Sequence, residues 1–290
     1  MIRLRYISTL CALLLAVVFY GQSNVDLAYK NFKEKNYTEA KNYIDKVIQE
    51  EGINQDPQVW QLRALIYKKL IDDMGLAARD TAMSSLDKAD QLDAKGDFKE
   101  KIAGYRKNII IEYYNDAVVE LKTGKCEQSL KSYLYYKELY LKHVEPNKDF
   151  KKQDIEYYLA LSSKYENLAK AEQDETKMKA YMEKAIEALF QVLKLDEKNY
   201  DANLRLGIIY YNSGVKLILG LTPDVSIEDC IETNKKSVSI FNIALPYFLT
   251  AYEVNPNKKE IIEGLAGIYT NLNNKEKAKE FVEKLKQFEE

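Results

Sequence analysis

Among the side chains of this chain that could act as a base, a nucleophile or a metal ligand, we first consider His143 and Cys230. His143 is the only histidine, and the sequence around it supplies neither a nucleophile to activate nor further ligands for a metal. General bases and zinc ligands work only with such partners. We therefore interpret His143 as a cation at the C-terminus of a helix, where the helix dipole favours positive charge.

The cysteines suggest a thiol-dependent enzyme as one alternative function. Ser226 and Asp229 have the spacing of a capping box that begins a helix, and Cys230 follows in its first turn, where a thiol pKa is lowered. No base that could activate this thiol lies near it in the sequence. Cys126 falls at a hairpin turn, where we expect a partly buried packing residue. The two cysteines should lie too far apart for a disulfide.

The remaining motifs predict no chemistry. Adjacent carboxylates such as Asp72-Asp73 lie on polar helix ends, whereas acid–base catalysis needs two carboxylates held in different environments inside a pocket. The chain has no glycine-rich phosphate loop and no G-x-S-x-G, H-E-x-x-H or C-x-x-C motif. We expect no catalytic site, no cofactor and no metal.

Composition favours a helical fold and excludes one class of partner. The chain is 46% hydrophobic and 30% charged, with only 11 glycines and 5 prolines. This apolarity excludes a disordered chain, and the scarcity of turn residues favours helices with tight connections. Lys and Arg total 43 and Asp and Glu total 45, a net charge of −2 without a basic cluster. We therefore expect no binding of nucleic acid.

The N-terminus has the pattern of an export signal. Two arginines precede a mostly apolar run, residues 7–20, which is shorter than the ~20 residues of a membrane span and matches the apolar region of a secretory signal. Cys11 lies too early in this run to be a lipid-modified N-terminus. We place a signal peptide at residues 1–21, with a retained anchor as the alternative. The exported chain should be periplasmic, free or peripheral to the outer membrane, without a membrane span.

A pattern of small residues flanked by large ones recurs along the chain. In a pair of antiparallel helices, small side chains at the crossing let the backbones approach, and large side chains flank the contact. One such hairpin cannot bury its apolar face alone, so neighbouring hairpins must stack on it. The small residues are twelve positions apart in three pairs: Ala28 and Ala40, Ala117 and Ser129, and Ala266 and Ala278.

Three further pairs are separated by insertions: Ala64 and Ala82, Ser162 and Ala185, and Gly207 and Ala244. The last has the longest insertion and predicts two lengthened helices, residues 201–221 and a return helix from Ser226. Pro246 should kink the return helix. Residues 95–109 should extend the helix that carries Ala117.

The six pairs resemble the tetratricopeptide repeat. The resemblance is carried by Trp60-x3-Ala64-x2-Tyr67, Leu206-Gly207-x2-Tyr210 and Ala244-x3-Phe248-x2-Ala251-x4-Pro256. It implies an all-α fold, a right-handed superhelix of stacked antiparallel helix hairpins with several lengthened hairpins, as one domain over residues 22–290. The sequence departs from the family at Asn31 and Glu120, where an aromatic residue is usual.

The resemblance also implies a groove on the inner face of the first helix of each hairpin. Only Asn115 and Arg205 on this face suit an anion, so the clamp by which some relatives hold a terminal carboxylate is not expected. Some of the 23 tyrosines should line the groove. The candidate groove residues are Tyr29, Leu65, Tyr114, Asn115, Val118 and Arg205.

A second candidate surface is the end of the longest hairpin, where Leu217, Leu219 and Leu221 precede Pro223. An exposed apolar group of this size usually marks an interaction site. The alternative is that residues 95–109 fold alongside and bury it.

These patterns predict a non-enzymatic scaffold or adaptor of the bacterial cell envelope. Its partners should be proteins, associated with the envelope or the outer membrane. The alternatives are a groove that binds a small ligand or glycan through its tyrosines, and a thiol-dependent enzyme that uses Cys230.

Overall fold

The computed structural model describes residues 23–288, and the signal peptide predicted at residues 1–21 lies outside them. Within this range the structure is helical, with no strand. Thirteen α-helices follow one another: α1 (Asn24–Lys33), α2 (Tyr37–Val47), α3 (Pro57–Lys69), α4 (Ile71–Met74), α5 (Leu76–Leu92), α6 (Lys99–Lys122), α7 (Cys126–His143), α8 (Lys151–Ala171), α9 (Glu175–Leu195), α10 (Tyr200–Leu219), α11 (Ile227–Val254), α12 (Lys259–Asn271) and α13 (Lys275–Lys286).

Short polar side chains fix where several helices begin. Ser23 accepts a hydrogen bond from the Asp26 backbone N–H and forms a full capping box ahead of α1. Asp56 caps α3, whose first residue is a proline with its φ already suited to a helix. Ser226 caps α11 by accepting from the Asp229 backbone N–H, as the sequence predicts. Each cap satisfies a backbone donor that the helix itself leaves unpaired.

The chain divides into two compact units, residues 23–118 with Ser129–Lys148, and Val119–Gln128 with the remainder from Asp149. In the first unit α1 packs on α2 and α3 packs on α5. The small residues predicted at these crossings, Ala28, Ala40, Ala64 and Ala82, are all buried. The expectation that residues 22–290 act as one repeat domain stays a prediction.

Helices α6 and α7 meet where the sequence places Ala117 and Ser129. The Ser129 hydroxyl donates a hydrogen bond to the Ala117 carbonyl oxygen at 2.7 Å, and both residues are fully buried. Serine therefore serves as the small residue here and contributes a bond between the helices that alanine could not. Helix α6 begins at Lys99, which confirms the predicted extension for residues 99–109. Residues 95–98 are not helical, because the chain turns at Gly96, whose φ is 75°, and the prediction is wrong there.

The second unit consists of three further hairpins, α8 with α9, α10 with α11, and α12 with α13. The long hairpin, α10 and α11, has the lengthened helices that the sequence predicts, and Pro246 lies inside α11. Gly214 and Ser237 join its two helices, because the Ser237 hydroxyl donates to the Gly214 carbonyl oxygen at 3.0 Å. The predicted all-α fold of antiparallel helix hairpins is confirmed.

Candidate interaction surfaces

A cleft of about 760 Å³ opens in the second unit between the C-terminal end of α8, the start of α9 and the last half of α10. Its apolar lining comes from Met178 and Met182 on α9 and from Ile208 and Ile209 on α10. Clefts that bind ligands commonly enclose ~300–1,000 Å³. The cleft therefore has the size and the apolar lining of a binding site.

Helix geometry explains how this lining is assembled. Met178 and Met182 are four residues apart, so their side chains lie one above the other on the same face of α9. On α10, Ile209, Asn212 and Lys216 follow one another at steps of three and four residues and likewise share a face. These two faces and the C-terminal end of α8 form the walls of the cleft.

The rim of the cleft carries both signs of charge, but its carboxylates are already engaged. Glu166 accepts two hydrogen bonds from the Arg205 guanidinium, at 3.0 and 2.6 Å. Glu175 lies 3.9 Å from the ammonium of Lys216, with both side chains largely exposed.

The two remaining rim lysines leave an excess of positive charge. Lys170 and Lys179 are exposed and have no recorded ion pair with any residue between 23 and 288. They lie on the same rim as Glu166 and Glu175, which are paired with Arg205 and Lys216. The rim therefore favours an anionic occupant, for electrostatic reasons alone.

Arg205 has a structural role in addition to its position near the cleft. Besides Glu166, its guanidinium donates to the Ser162 hydroxyl at 2.9 Å and to the Leu159 carbonyl oxygen at 3.0 Å. These bonds join α10 to α8. An anion could bind Arg205 only in competition with this network.

The end of the long hairpin is the second surface, and we call residues 217–232 the hairpin tip. Leu219 is 78% exposed, Ile227 is 80% exposed and Ile231 is 51% exposed, while Leu217 and Leu221 are half-buried. Large apolar side chains that lie close together and are exposed to water usually mark an interaction site.

The alternative for the hairpin tip, burial by residues 95–109, is not observed. Phe98, Ile102 and Tyr105 pack on the core of the first unit. Leu219 and Ile227 are about four-fifths exposed, so the tip is not buried as that alternative requires.

The groove residues predicted in the first unit occupy different surroundings. Tyr29 is 51% exposed, with the Lys33 ammonium 5.2 Å from its ring centre. Leu65 lines a small cavity of about 140 Å³ together with Phe32 and Tyr105.

The three groove candidates on α6 also differ from one another. Tyr114 packs against the rings of Tyr133 and Tyr136, so its side chain is used within its own hairpin. Asn115 is exposed and donates to Glu112, whereas Val118 is half-buried.

The two cysteines differ in accessibility. Cys126 and Cys230 are both free thiols in the structure. Cys126 is buried, and its burial raises the thiol pKa above the ordinary value. Cys230 is exposed in the first turn of α11, where its neighbours in sequence are Asp229 and Ile231.

His143 lies in the last turn of α7, as the sequence predicts. Burial lowers the pKa of its imidazole, and the charges of Arg106 and Lys142 lower it further. This direction is opposite to the rise in pKa that a helix C-terminus would cause, so it gives no support to the interpretation of His143 as a helix-terminal cation.

Two observations bear on metal and membrane binding. Within residues 23–288, no group of three or more His, Cys, Asp or Glu side chains is arranged to hold a metal ion. In the same part of the chain, every helix falls short of the length and apolarity that crossing a bilayer requires.

A comparison with models of known protein families gives no match, and a search of curated proteins finds no significantly similar sequence.

The cleft is the surface that sequence reasoning missed. The spacing of Met178 and Met182 was a readable signal, since two methionines on one helix face often form an adaptable contact surface. The other wall, Ile208 and Ile209, looks like ordinary core sequence, and only the packing of α9 against α10 shows that it faces an opening.

Proposed function

We propose that this chain is a non-enzymatic scaffold that binds segments of other proteins, and that its hairpins are tetratricopeptide repeats. The observation that carries the proposal is the cleft between α8, α9 and α10, with its methionine and isoleucine lining and its lysine rim. An open cleft between helices accepts a helical or extended segment, whose apolar side chains enter it while its polar side chains stay in water.

The chemistry of the lining favours binding over catalysis. The cleft is lined by lysine, glutamate, threonine, asparagine, serine and apolar side chains, a set that lacks a histidine or cysteine. Glu166 is held by the Arg205 guanidinium, and Glu175 is largely exposed, 3.9 Å from the Lys216 ammonium. Methionine side chains adapt to different apolar shapes, which suits recognition of a protein segment.

The proposal includes location in the bacterial cell envelope. It rests on the basic residues and apolar run of the N-terminus, which match a secretory signal. The partners would then be envelope proteins or proteins associated with the outer membrane.

The test is affinity capture from an envelope extract by three immobilised proteins. These are the full chain, the cleft variant Met178→Lys and the control variant Met74→Lys, which changes a methionine that is 41% exposed on α4. Proteins retained by wild type and control but lost from the cleft variant support the proposal. Equal retention by all three removes the cleft as the docking site, and retention by none contradicts the scaffold function.

A further inference from the structure

We propose that the occupant of the cleft is the hairpin tip of a second copy of this chain, and that two copies exchange their tips reciprocally. This inference rests on the proposed function, because it names the partner of the same cleft. It is supported by the apolar content, the charges and the relative placement of the two surfaces, all of which lie in the second unit.

The apolar parts of the two surfaces match. Ile227 and Ile231 are four residues apart and share one face of α11, and Leu219 ends the neighbouring helix of the same hairpin. All three are more than half exposed in the single chain. The cleft supplies the methionine and isoleucine lining against which such side chains would be buried. Removing this surface from water is the main source of association free energy.

The charges are complementary. The hairpin tip contains four carboxylates, Asp224, Glu228, Asp229 and Glu232, and no lysine or arginine. Glu232 is paired with Lys236, 2.6 Å away on the next turn of α11, and the other three carboxylates have no ion pair within residues 23–288. The cleft presents its excess of positive charge through Lys170 and Lys179. Opposite charges across an interface select the correct partner and disfavour others. The acidic tip would be repelled by an anionic membrane surface, which makes the tip unsuited to membrane binding.

Placement of both surfaces along α10 makes the exchange reciprocal. Ile209, Asn212 and Lys216 line the cleft, and Leu219 lies three residues beyond Lys216, on the same helix face. Leu219 is about 16 Å along the helix from Ile208 at ~1.5 Å per residue. When two copies of α10 lie antiparallel about a two-fold axis between these points, each tip reaches the cleft of the other copy. Such an interface closes on itself, so assembly stops at a dimer.

The test is sedimentation velocity of the full chain and of two charge-reversal variants. One variant has an acidic cleft, Lys170→Glu with Lys179→Glu. The other has a basic tip, Glu228→Lys with Glu232→Lys. Wild type should dimerise with increasing concentration, and more weakly at high salt because exposed charges are screened. Each variant alone should be monomeric, with the dissociation constant raised at least about tenfold by like charges at both contacts.

An equimolar mixture of the two variants should restore the dimer. In the mixed pair, a basic tip meets an acidic cleft at one contact, and an acidic tip meets a basic cleft at the other. Restoration also shows that neither variant has lost its fold. Substitution of Ile227 by serine should weaken the wild-type dimer, while the control Ile243→Ser, at a residue 44% exposed further along α11, should not.

Four results would overturn the reciprocal dimer: a monomeric wild type, a mixture that stays monomeric, variants that dimerise alone as tightly as wild type, and growth into larger species. A monomeric wild type whose cleft variant loses a different captured protein would overturn this inference and leave the proposed function standing. A monomeric wild type that captures no protein would contradict both this inference and the proposed function.

Discussion

The ring of Phe248 occupies the space in front of Gly207, where a Cβ atom would lie 2.8 Å from the Cδ2 atom of the ring. This contact joins the two helices of the long hairpin at the position where the sequence pairs Gly207 with Ala244. Any side chain at position 207 must displace the ring, and Phe248 is itself 1% exposed and confined by the surrounding core.

Substitution of Gly207 by alanine should lower the free energy of unfolding by about 1–3 kcal/mol, the usual cost of inserting atoms into a packed core. The control is Gly104→Ala in α6, where nothing lies within 4 Å of a new Cβ. This control should gain up to about 1 kcal/mol, because alanine favours the helix. Urea unfolding measures both changes. A Gly207→Ala protein as stable as wild type would show that Phe248 can move aside.

Asp45 should make the first unit sensitive to acid. Its carboxylate accepts hydrogen bonds from Tyr67 and Arg63 at 2.7 and 3.0 Å, and Lys41 lies 3.1 Å away. Burial acts to raise the pKa of Asp45, but the hydrogen bonds from Tyr67, Lys41 and Arg63 outweigh it and hold the pKa below the usual 3.8. The resulting stability is present above the unfolded-state pKa and is lost as the pH falls through the lower, folded-state pKa.

Asp45→Asn should therefore destabilise the protein at pH 7 by about 1 kcal/mol, the order expected for hydrogen bonds to a partly exposed charge. The difference from wild type should shrink as the pH falls below the usual range of aspartate. Thermal unfolding followed by circular dichroism across this range provides the measurement. A difference that is constant with pH would mean that the Asp45 charge contributes nothing to the contact.

The two thiols should react at very different rates. Cys230 is exposed and should be labelled at once by a maleimide, whereas Cys126 is buried, with its pKa raised by burial, and should react only when the second unit opens. In a Cys11→Ser background, which leaves only Cys126 and Cys230, mass spectrometry of the time course should show one adduct early and the second only in denaturant. Two early adducts would contradict the packing around Cys126.

Shortening the long hairpin should leave the rest of the second unit folded. Replacing residues 219–232 with a short glycine linker removes the exposed tip but spares the Gly214–Ser237 hydrogen bond and the contact of Gly214 with the Phe241 ring. Stacked hairpins depend mainly on their neighbours, so the melting temperature should change little. A deletion extended through Gly214 should instead lower it by several degrees. If both deletions lower the melting temperature equally, the tip itself stabilises the hairpin.

The sequence predicted the packing inside hairpins because those contacts depend on short-range spacing. Small residues twelve positions apart, such as Ala28 and Ala40, face each other when two short helices are joined by a tight turn, so the crossing can be predicted from local spacing. Capping by Ser226 was predictable for the same reason. The cleft was not, because it depends on the angle at which α9 meets α10, which no local pattern encodes.

Arg205 is a second case in which a long-range contact could not be predicted from the sequence. Its charge and its position on a first helix made it a candidate groove residue, but in the structure the guanidinium binds Glu166 and Ser162, thirty-nine and forty-three residues away in the chain. A carboxylate at that separation can be recognised as the partner only after the hairpins are stacked. The environment of His143 likewise depends on Arg106, from another helix.

The bonds from Arg205 to Glu166 also restrict how this chain could have changed in length during evolution. Because Arg205 on α10 bonds to Glu166 on α8, the hairpin of α10 and α11 could not be exchanged for another hairpin without loss of this contact. Loss of α10 and α11 as a block would leave Glu166 without its cation, and a duplicated copy would bring an arginine with no acceptor. Arg63 and Asp45 impose the same condition on α3 and α2. Gain or loss of a hairpin would therefore cost stability unless a neighbouring hairpin changed as well.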